Sequence, residues 1–340
     1  MFVFALTRIV HELVLDYTRD HVAERLSTSL AENGETLLLF LAVWWIWTQT
    51  AWVTSKFDPF QPAIQVGRTL FFALILRGHT LRRVNMLAFV WFGVSALPWL
   101  SGAFAPEVTR NSLWTLALAI DYLGARFGWP VPGLGRAEVS PWAGAGEHLA
   151  ERYWQLVIVA LGETILTSGS SLLLGPIGAE RTLALTVSFV VTVLLWRIYF
   201  YRAGQILGEA IAASADPGRI GRLAELAHLL MVAGILAGSA GSELTLIDPT
   251  GAARPAWVGA ILGGPALFLA GRSLFEYVAF ARVSWPRPIG IVLLAAMAPA
   301  MVGLPPLAVT GAAVAVLLGV AVSDTIRAHG RPLEQASPPR

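Results

Sequence analysis

The chain has 340 residues, of which 56% are hydrophobic and 14% are charged, and its formal net charge is +2. A soluble domain carries about 25% charged residues because its surface has to be hydrated, so this composition excludes an ordinary soluble globule. The basic residues form no clustered run, which argues against a nucleic-acid-binding protein. Cysteine is absent, which excludes disulfides, thiolate metal sites and thiol catalysis.

Apolar segments follow one another along the chain, and the longer ones have the roughly 20 residues that a membrane-spanning helix needs. In chain order the candidate segments are residues 2–15, 36–55, 62–76, 84–104, 112–127, 148–174, 182–201, 223–247, 257–275, 289–304 and 307–326. The first is short, and the third is interrupted by Arg68. We expect an all-α, polytopic transmembrane helical bundle of about 10–11 spans. It should form a single domain over residues 1–327, followed by a short polar tail over residues 328–340.

The intervening segments carry their own signals. Residues 16–35 are polar and rich in acids, and residues 128–146 are rich in glycine and proline, so we expect loops in both places. Trp44, Trp45 and Trp47 indicate either an interfacial aromatic belt or helix packing. Small-residue runs such as GILAGSAGS favour close packing of helices and allow self-association.

The distribution of basic residues predicts the orientation in the membrane. When all 11 segments are treated as crossings, 17 lysines and arginines fall on one side and four on the other. The positive-inside rule then puts the arginine-rich side and the C-terminus in the cytoplasm.

The segment from 146 to 172 has the richest chemistry. His148, Glu151 and Arg152 share one helical face near its start, where an interfacial salt-bridge cluster is the simpler alternative to a functional role. Glu163 lies about 16 Å deeper and within about 20° of the same azimuth as Arg152. A carboxyl group at that depth has to face the bundle, a partner or water, or carry a proton. It is therefore a candidate for a proton- or ion-relay residue, or else a structural acid bonded to a neighbouring helix.

Other ionisable residues fall inside apolar segments. Asp121, His228 and Glu243 are candidates, and either of the last two could meet Glu163 or Asp121 across a helix interface. His228 on an apolar helix is also typical of a packed, hydrogen-bonded histidine. Arg197, Tyr199 and Tyr201 indicate an interfacial belt. The sequence has no nucleophile elbow, P-loop, zinc signature or dinucleotide fingerprint, so we expect no cofactor and no metal.

Several blocks together carry a family resemblance: LLLFLAVWWIWTQTAW with KFDP, IQVGRTLFF, HLAERYWQLVIVALGETI, LLWRIYFYRAG, AHLLMVAGILAGSAGSE and GGPALFLAGRSLF. They resemble the low temperature requirement protein A (LtrA) family. The resemblance implies a bacterial inner-membrane protein of about a dozen helices, named for a growth phenotype in the cold. Family members usually open with an ELFFDLVFVFA-like helix, whereas this chain opens at MFVFALTRI, without the ELFFDL part, and lacks most of the family's third helix. Glu163, His148, Glu151 and Arg152 stand at matching positions.

Three functional hypotheses remain open at this stage. The first is a transporter or permease that binds a small molecule or an ion, with Glu163 as an intramembrane acid. The second is a membrane-embedded enzyme acting on a lipid-like substrate, which requires Glu163 to pair with His228 or Asp121 at one depth. The third is a non-catalytic membrane scaffold or sensor, for which Glu163 matters only to stability. The first is favoured, because enzymatic motifs lack positive support.

Overall fold

A computed structural model describes residues 2–18, 26–56, 82–137, 146–173, 175–201, 206–330, 332 and 334–339. These residues form eleven helices and no strand. We number the helices in chain order: α1 Phe2–Thr18, α2 Leu26–Lys56, α3 Arg82–Ala103, α4 Glu107–Phe127, α5 Gly146–Leu173, α6 Ala179–Phe200, α7 Ile206–Ala213, α8 Pro217–Ile247, α9 Pro255–Phe280, α10 Pro286–Met301 and α11 Pro306–Ala328.

The all-α class is confirmed. Within the described ranges, α3, α5, α6, α8, α9 and α11 are long and apolar enough to cross a membrane, and α10 is a shorter apolar helix. The chain is therefore a multi-pass membrane protein. The predicted segment 62–76, with Arg68, lies outside the described residues, and the predicted loop 128–146 is described only as far as residue 137.

One local prediction was wrong, and one helix was not foreseen. The loop predicted over residues 16–35 is helical up to Thr18 and again from Leu26, because apart from Gly34 the run from Leu26 into the apolar segment contains no helix breaker. The short helix α7 was not foreseen, because eight residues between two longer elements carry too few turns for a clear periodic signal. From α3 onward, the predicted helices begin one to six residues earlier than expected, since polar terminal turns precede the apolar run, and they end within five residues of the predicted positions.

The described chain divides into two compact units. Unit 1 comprises residues 1–33 and 144–340, and unit 2 comprises residues 34–143. The single domain predicted over residues 1–327 stays a prediction. The polar tail predicted from residue 328 begins where α11 ends, at Ala328.

In unit 1, side-chain contacts fix the helix directions. Tyr153 on α5 stacks on His228 of α8, and farther along both helices Thr167 contacts Ser239, so α5 and α8 are parallel. Helix α6 is antiparallel to both, because Arg181 near its start reaches the carbonyl oxygen of Leu246. We call the end where α5 and α8 begin the arginine-rich end. There α6 finishes at Phe200 and α9 at Phe280.

Glycines hold α8 and α9 close enough for backbone contact. A Cβ atom added to Gly234 would lie 2.4 Å from the Phe268 nitrogen, and one added to Gly264 would lie 2.4 Å from the Gly238 nitrogen. Gly271 sits equally close to the Ala227 carbonyl, at 2.6 Å. This glycine seam confirms the close packing predicted from GILAGSAGS, and it leaves no room for any larger residue.

Two helix ends in the described chain show ordinary capping chemistry. The Asp216 carboxylate accepts a 2.9 Å hydrogen bond from the Arg219 amide at the start of α8, where Pro217 supplies a preset backbone angle. Helix α4 ends at Gly128 in the left-handed conformation, with φ of 75°. That turn places Trp129 back against the helices of unit 2.

Unit 2 has an aromatic core. Trp45 packs on Tyr122 and Trp129, with ring centroids 4.8 and 6.2 Å apart, and Leu87 and Leu118 complete the cluster. Trp44 is also buried. Of the two readings of the tryptophan run, the structure therefore supports helix packing for Trp44 and Trp45.

The polar tail contacts the arginine-rich end of unit 1. The Ser337 amide donates a 2.8 Å hydrogen bond to the Ala279 carbonyl at the end of α9, and Arg282 pairs with Glu334. Both side chains of that pair are about half exposed, at 54% and 50%. The hydrogen bond from Arg282 to the Glu334 carboxylate raises the pKa of Arg282.

Candidate functional site

Glu163 is the most deeply buried acid of the predicted set. It lies on α5 about 15 Å from the helix end at Leu173, and only 1% of its surface is exposed. Among the described residues, neither carboxyl oxygen completes a hydrogen bond of good geometry, although the Thr7 side chain of α1 lies beside them. No described cation pairs with it, so the carboxyl group has no compensating positive charge.

Glu243 on α8 is the second acid of this region. It interacts electrostatically with Glu163, with the Ser171 side chain and with His11 of α1. Direct contact between Glu243 and Glu163 across the helix interface stays a prediction. Helices α1, α5 and α8 each contribute, and we call Glu163, Glu243, Thr7, His11 and Ser171 the carboxylate layer.

Hydroxyl groups extend this layer along α5 and α8. The Thr167 hydroxyl donates to the Glu163 carbonyl at 2.9 Å, and its oxygen lies 3.0 Å from that of Ser239. Ser168 is buried, and its hydroxyl has no partner among the described residues. The layer thus offers several oxygen atoms with unused hydrogen-bonding capacity, as a proton or cation site requires.

His228 does not belong to the carboxylate layer. Its Nδ1 atom lies 2.7 Å from the Ala224 carbonyl, and its Nε2 atom lies 3.0 Å from the Tyr199 hydroxyl. A carbonyl only accepts, so Nδ1 carries the proton; in the neutral ring, Nε2 then accepts from Tyr199. Tyr153 stacks on the ring with centroids 4.1 Å apart, and Phe275 meets it edge-on. This arrangement is the packed, hydrogen-bonded histidine of the simpler alternative, and it makes Tyr199 a core residue rather than part of an interfacial belt.

An apolar layer separates the two polar regions. Tyr153 and Glu163 are about 15 Å apart along α5. Between them the helices contribute fully buried apolar side chains, namely Val157, Ala160, Met231 and Ile235. Glu163 and His228 therefore do not form the acid–histidine pair that an enzyme mechanism would need.

The remaining predicted residues lie elsewhere. His148 and Glu151 are exposed at the start of α5, where Gln155 donates to Glu151 at 3.1 Å and accepts from Arg152 at 3.3 Å. Asp121 belongs to unit 2, where it is buried and accepts a 3.3 Å hydrogen bond from the Trp99 indole. Arg197 lies over the Tyr201 ring, 3.6 Å from its centroid, as an interfacial arginine would.

A charged cluster at the arginine-rich end escaped sequence reasoning. Arg287 of α10 donates from Nη1 to Glu276 of α9 and from Nη2 to Asp324 of α11, both at 2.8 Å. Ser284 donates its amide to Glu276 at 3.0 Å, and its hydroxyl donates to the other carboxylate oxygen. Arg272 is buried nearby and donates to the Ile198 carbonyl at 3.2 Å. Arg272 and Glu276 are one helical turn apart, a spacing at which side chains of opposite charge can interact. This signal was missed because the arginines were counted only as loop residues.

Comparison with known proteins agrees with this architecture. No solved structure matches the chain. A curated protein of Rhizobium meliloti (strain 1021), called uncharacterized protein RA0937, is 29% identical over 338 residues, covering 87% of this chain and 79% of that protein. The family model described as bacterial low temperature requirement A protein (LtrA) matches residues 61–322, which include Asp121, Glu163, His228 and Glu243. The chain therefore belongs to the LtrA family.

Proposed function

We propose that this LtrA protein is a proton-coupled transporter in which Glu163 binds and releases the coupling proton. The observation that carries the proposal is the position of Glu163: a buried carboxyl group without a cationic partner among the described residues, electrostatically coupled to a second acid on another helix. An unpaired ionised carboxylate in such a site costs several kcal/mol, roughly, so the group carries its proton in this conformation.

The second acid, Glu243, couples the protonation of Glu163 to the rest of the bundle. When Glu163 releases its proton to water, its negative charge is repelled by that of ionised Glu243, so a cation or a change in helix packing has to stabilise the state with both acids ionised. Binding or release of the proton then changes the relative stability of two conformations of the protein. The proposal therefore needs the two acids to communicate, as their electrostatic interaction indicates.

The apolar layer favours a carrier over a channel. Val157, Ala160, Met231 and Ile235 place fully buried apolar side chains of α5 and α8 between the carboxylate layer and His228. These side chains supply a barrier toward the arginine-rich end in the proposed transport cycle. A carrier opens its site to one side at a time and needs such a barrier, whereas a channel would be wetted throughout.

The proposal is tested by transport in proteoliposomes. A mixture of labelled metabolites is supplied outside, a pH gradient is imposed, and uptake is compared between the unchanged chain and Glu163→Gln. Glu209→Gln removes an exposed carboxyl group on α7 and serves as the matched control. We expect gradient-driven uptake by the unchanged chain and by Glu209→Gln, and none by Glu163→Gln.

Thermal unfolding of the same proteins separates transport from a structural role. If Glu163→Gln keeps the transport rate of the unchanged chain, the relay is wrong. If the unchanged chain moves nothing and Glu163→Gln only unfolds at a lower temperature, the scaffold hypothesis takes its place.

We also propose that the protein lies in the bacterial inner membrane with its arginine-rich end and C-terminus in the cytoplasm, because 17 basic residues are expected on that side and four on the other. The chain has no cysteine, so single cysteines report topology cleanly. In intact cells a membrane-impermeant maleimide should label Thr250→Cys, in the loop after α8, and spare Gln335→Cys in the tail. The reverse pattern would invert the topology.

A further inference from the structure

Helices α10 and α11 leave an open apolar groove on the surface of unit 1. The groove has a volume of about 720 Å³ and is lined mainly by apolar side chains, among them Ile289, Leu293, Met297 and Val316. Small residues of α11, including Ala315 and Gly319, also line it, and a Cβ atom added to Gly319 would meet nothing within 4 Å. The groove is mainly apolar and unfilled by the described chain, which suits a hydrocarbon chain.

The end of the groove is polar. Trp285, at the start of α10, and Arg327 and Ser323, in the last turns of α11, line it at the arginine-rich end. Arg327 is exposed and forms no ion pair or hydrogen bond with any described residue. It interacts electrostatically with Asp324, the acid one turn earlier, whose carboxylate is already hydrogen-bonded to Arg287. A cation and an indole thus stand where an apolar groove meets the membrane interface, and tryptophan favours that depth.

From this juxtaposition we infer that the groove binds an anionic phospholipid, with an acyl chain along α10 and α11 and the phosphate group at Arg327. Arginine pairs well with phosphate oxygens, and the Ser323 hydroxyl supplies a further donor beside it. The site is separate from the carboxylate layer, so this inference does not depend on the transport proposal.

A second copy of the chain fits the groove less well. Two copies in one membrane share their orientation, so a two-fold axis would run along the membrane normal. Helix α11 of the second copy would then bring its own Arg327 to the same depth, and the two like charges would face each other across the contact. A lipid phosphate has the opposite charge, which makes the lipid the better occupant.

The test uses the full chain purified in detergent and titrated with phosphatidylglycerol or phosphatidylcholine of identical acyl chains. Native mass spectrometry counts the lipids that remain bound. We expect the unchanged protein to hold its first phosphatidylglycerol about fivefold more tightly than phosphatidylcholine, the effect expected for one interfacial arginine. Arg327→Gln should abolish this preference, and Gly319→Leu, which adds a side chain to the groove lining at a position where a Cβ atom meets nothing within 4 Å, should weaken binding of both lipids.

Two matched variants control for general effects. Arg222→Gln removes an exposed arginine at the same end of unit 1, and Gly311→Leu adds a side chain on α11 away from the groove lining, where a Cβ atom also meets nothing within 4 Å. Both should bind lipid like the unchanged chain. Equal retention of the two lipids by the unchanged protein would overturn the inference, as would a preference that survives Arg327→Gln. A dimer mass that disappears in Gly319→Leu would assign the groove to a second copy instead.

Discussion

Arg287 and Glu276, eleven positions apart in the chain, meet inside unit 1 through a 2.8 Å hydrogen bond between Nη1 and Oε2. The other terminal nitrogen of Arg287 binds Asp324, so one guanidinium joins α9, α10 and α11. All three side chains are nearly buried, with 5% to 8% exposure. Such a cluster does not have to be more stable than an apolar core of the same size, but removing one member leaves uncompensated charge.

Arg287→Leu is therefore expected to lower the free energy of unfolding by about 3–5 kcal/mol, because it strands two buried carboxylates. Thermal unfolding in detergent, followed by tryptophan fluorescence, measures the effect as a fall in the unfolding midpoint. The control is Arg282→Gln, which breaks the half-exposed pair with Glu334 and should cost at most about 1 kcal/mol. Equal effects of the two substitutions would mean that burial of the cluster contributes nothing.

The glycine seam gives a prediction that depends on sterics alone. Gly264→Ala places a methyl group 2.4 Å from the Gly238 nitrogen, so α8 and α9 have to move apart. We expect a loss of about 1–3 kcal/mol, as for other overpacked cores, seen as a lower unfolding temperature. Gly259→Ala and Gly263→Ala, on the same helix with nothing within 4 Å of the added carbon, should leave stability unchanged or slightly higher. A Gly264→Ala protein as stable as these two would show that the helices do not touch there.

The hydrogen bond between Tyr199 and His228 predicts an effect of a single hydroxyl group. Tyr199→Phe leaves Nε2 of His228 buried without its donor, which costs about 1–3 kcal/mol. Tyr201→Phe removes the hydroxyl of a neighbouring ring that contacts Arg197 through its face, so its effect should be negligible. Nitrogen-15 NMR of the histidine ring adds a second readout. The Nδ1-protonated tautomer should be present in the unchanged protein, and its absence would contradict the assignment.

The protonated state of Glu163 is open to chemical labelling. Apolar carbodiimides react with protonated carboxyl groups in apolar surroundings, so dicyclohexylcarbodiimide should modify Glu163 and spare the exposed Glu209. Peptide mass spectrometry locates the adduct, and Glu163→Gln is the negative control. Labelling should decline as the pH rises and the protonated fraction falls. Modification of Glu209 in preference to Glu163 would mean that Glu163 is ionised or inaccessible in the native fold.

Sequence reasoning succeeded where a single helix carries the information. Long apolar runs predicted the class and most helix positions, and the small-residue face of α8 predicted the glycine seam, because hydropathy and residue size act locally. Glu163 was identified as a candidate for the same reason, since an acid within an apolar run is costly wherever the helix packs.

Contacts between helices were the part that sequence could not supply. His228 appeared equally able to meet Glu163 or Asp121, yet its partners are Tyr153 and Tyr199, set by the crossing of α5, α6 and α8. The pairing of Arg287 with Asp324 has no local signal in the sequence, because it depends on how α10 and α11 pack against α9. Helical periodicity predicts which residues share one face of a helix, but it does not predict which other helix packs against that face.

The backbone contact between α8 and α9 has a mechanical consequence. Two helices that touch through glycine lack side chains that could change rotamer to let them slide, so the pair should move as one rigid body. Glu243 belongs to that rigid body, whereas Glu163 is carried by α5, whose contacts with α8 are made by side chains. A rearrangement of the bundle should therefore change the distance between the Glu163 and Glu243 carboxyl groups. Labels on α5 and α9 would measure the movement of α5 relative to the α8–α9 pair.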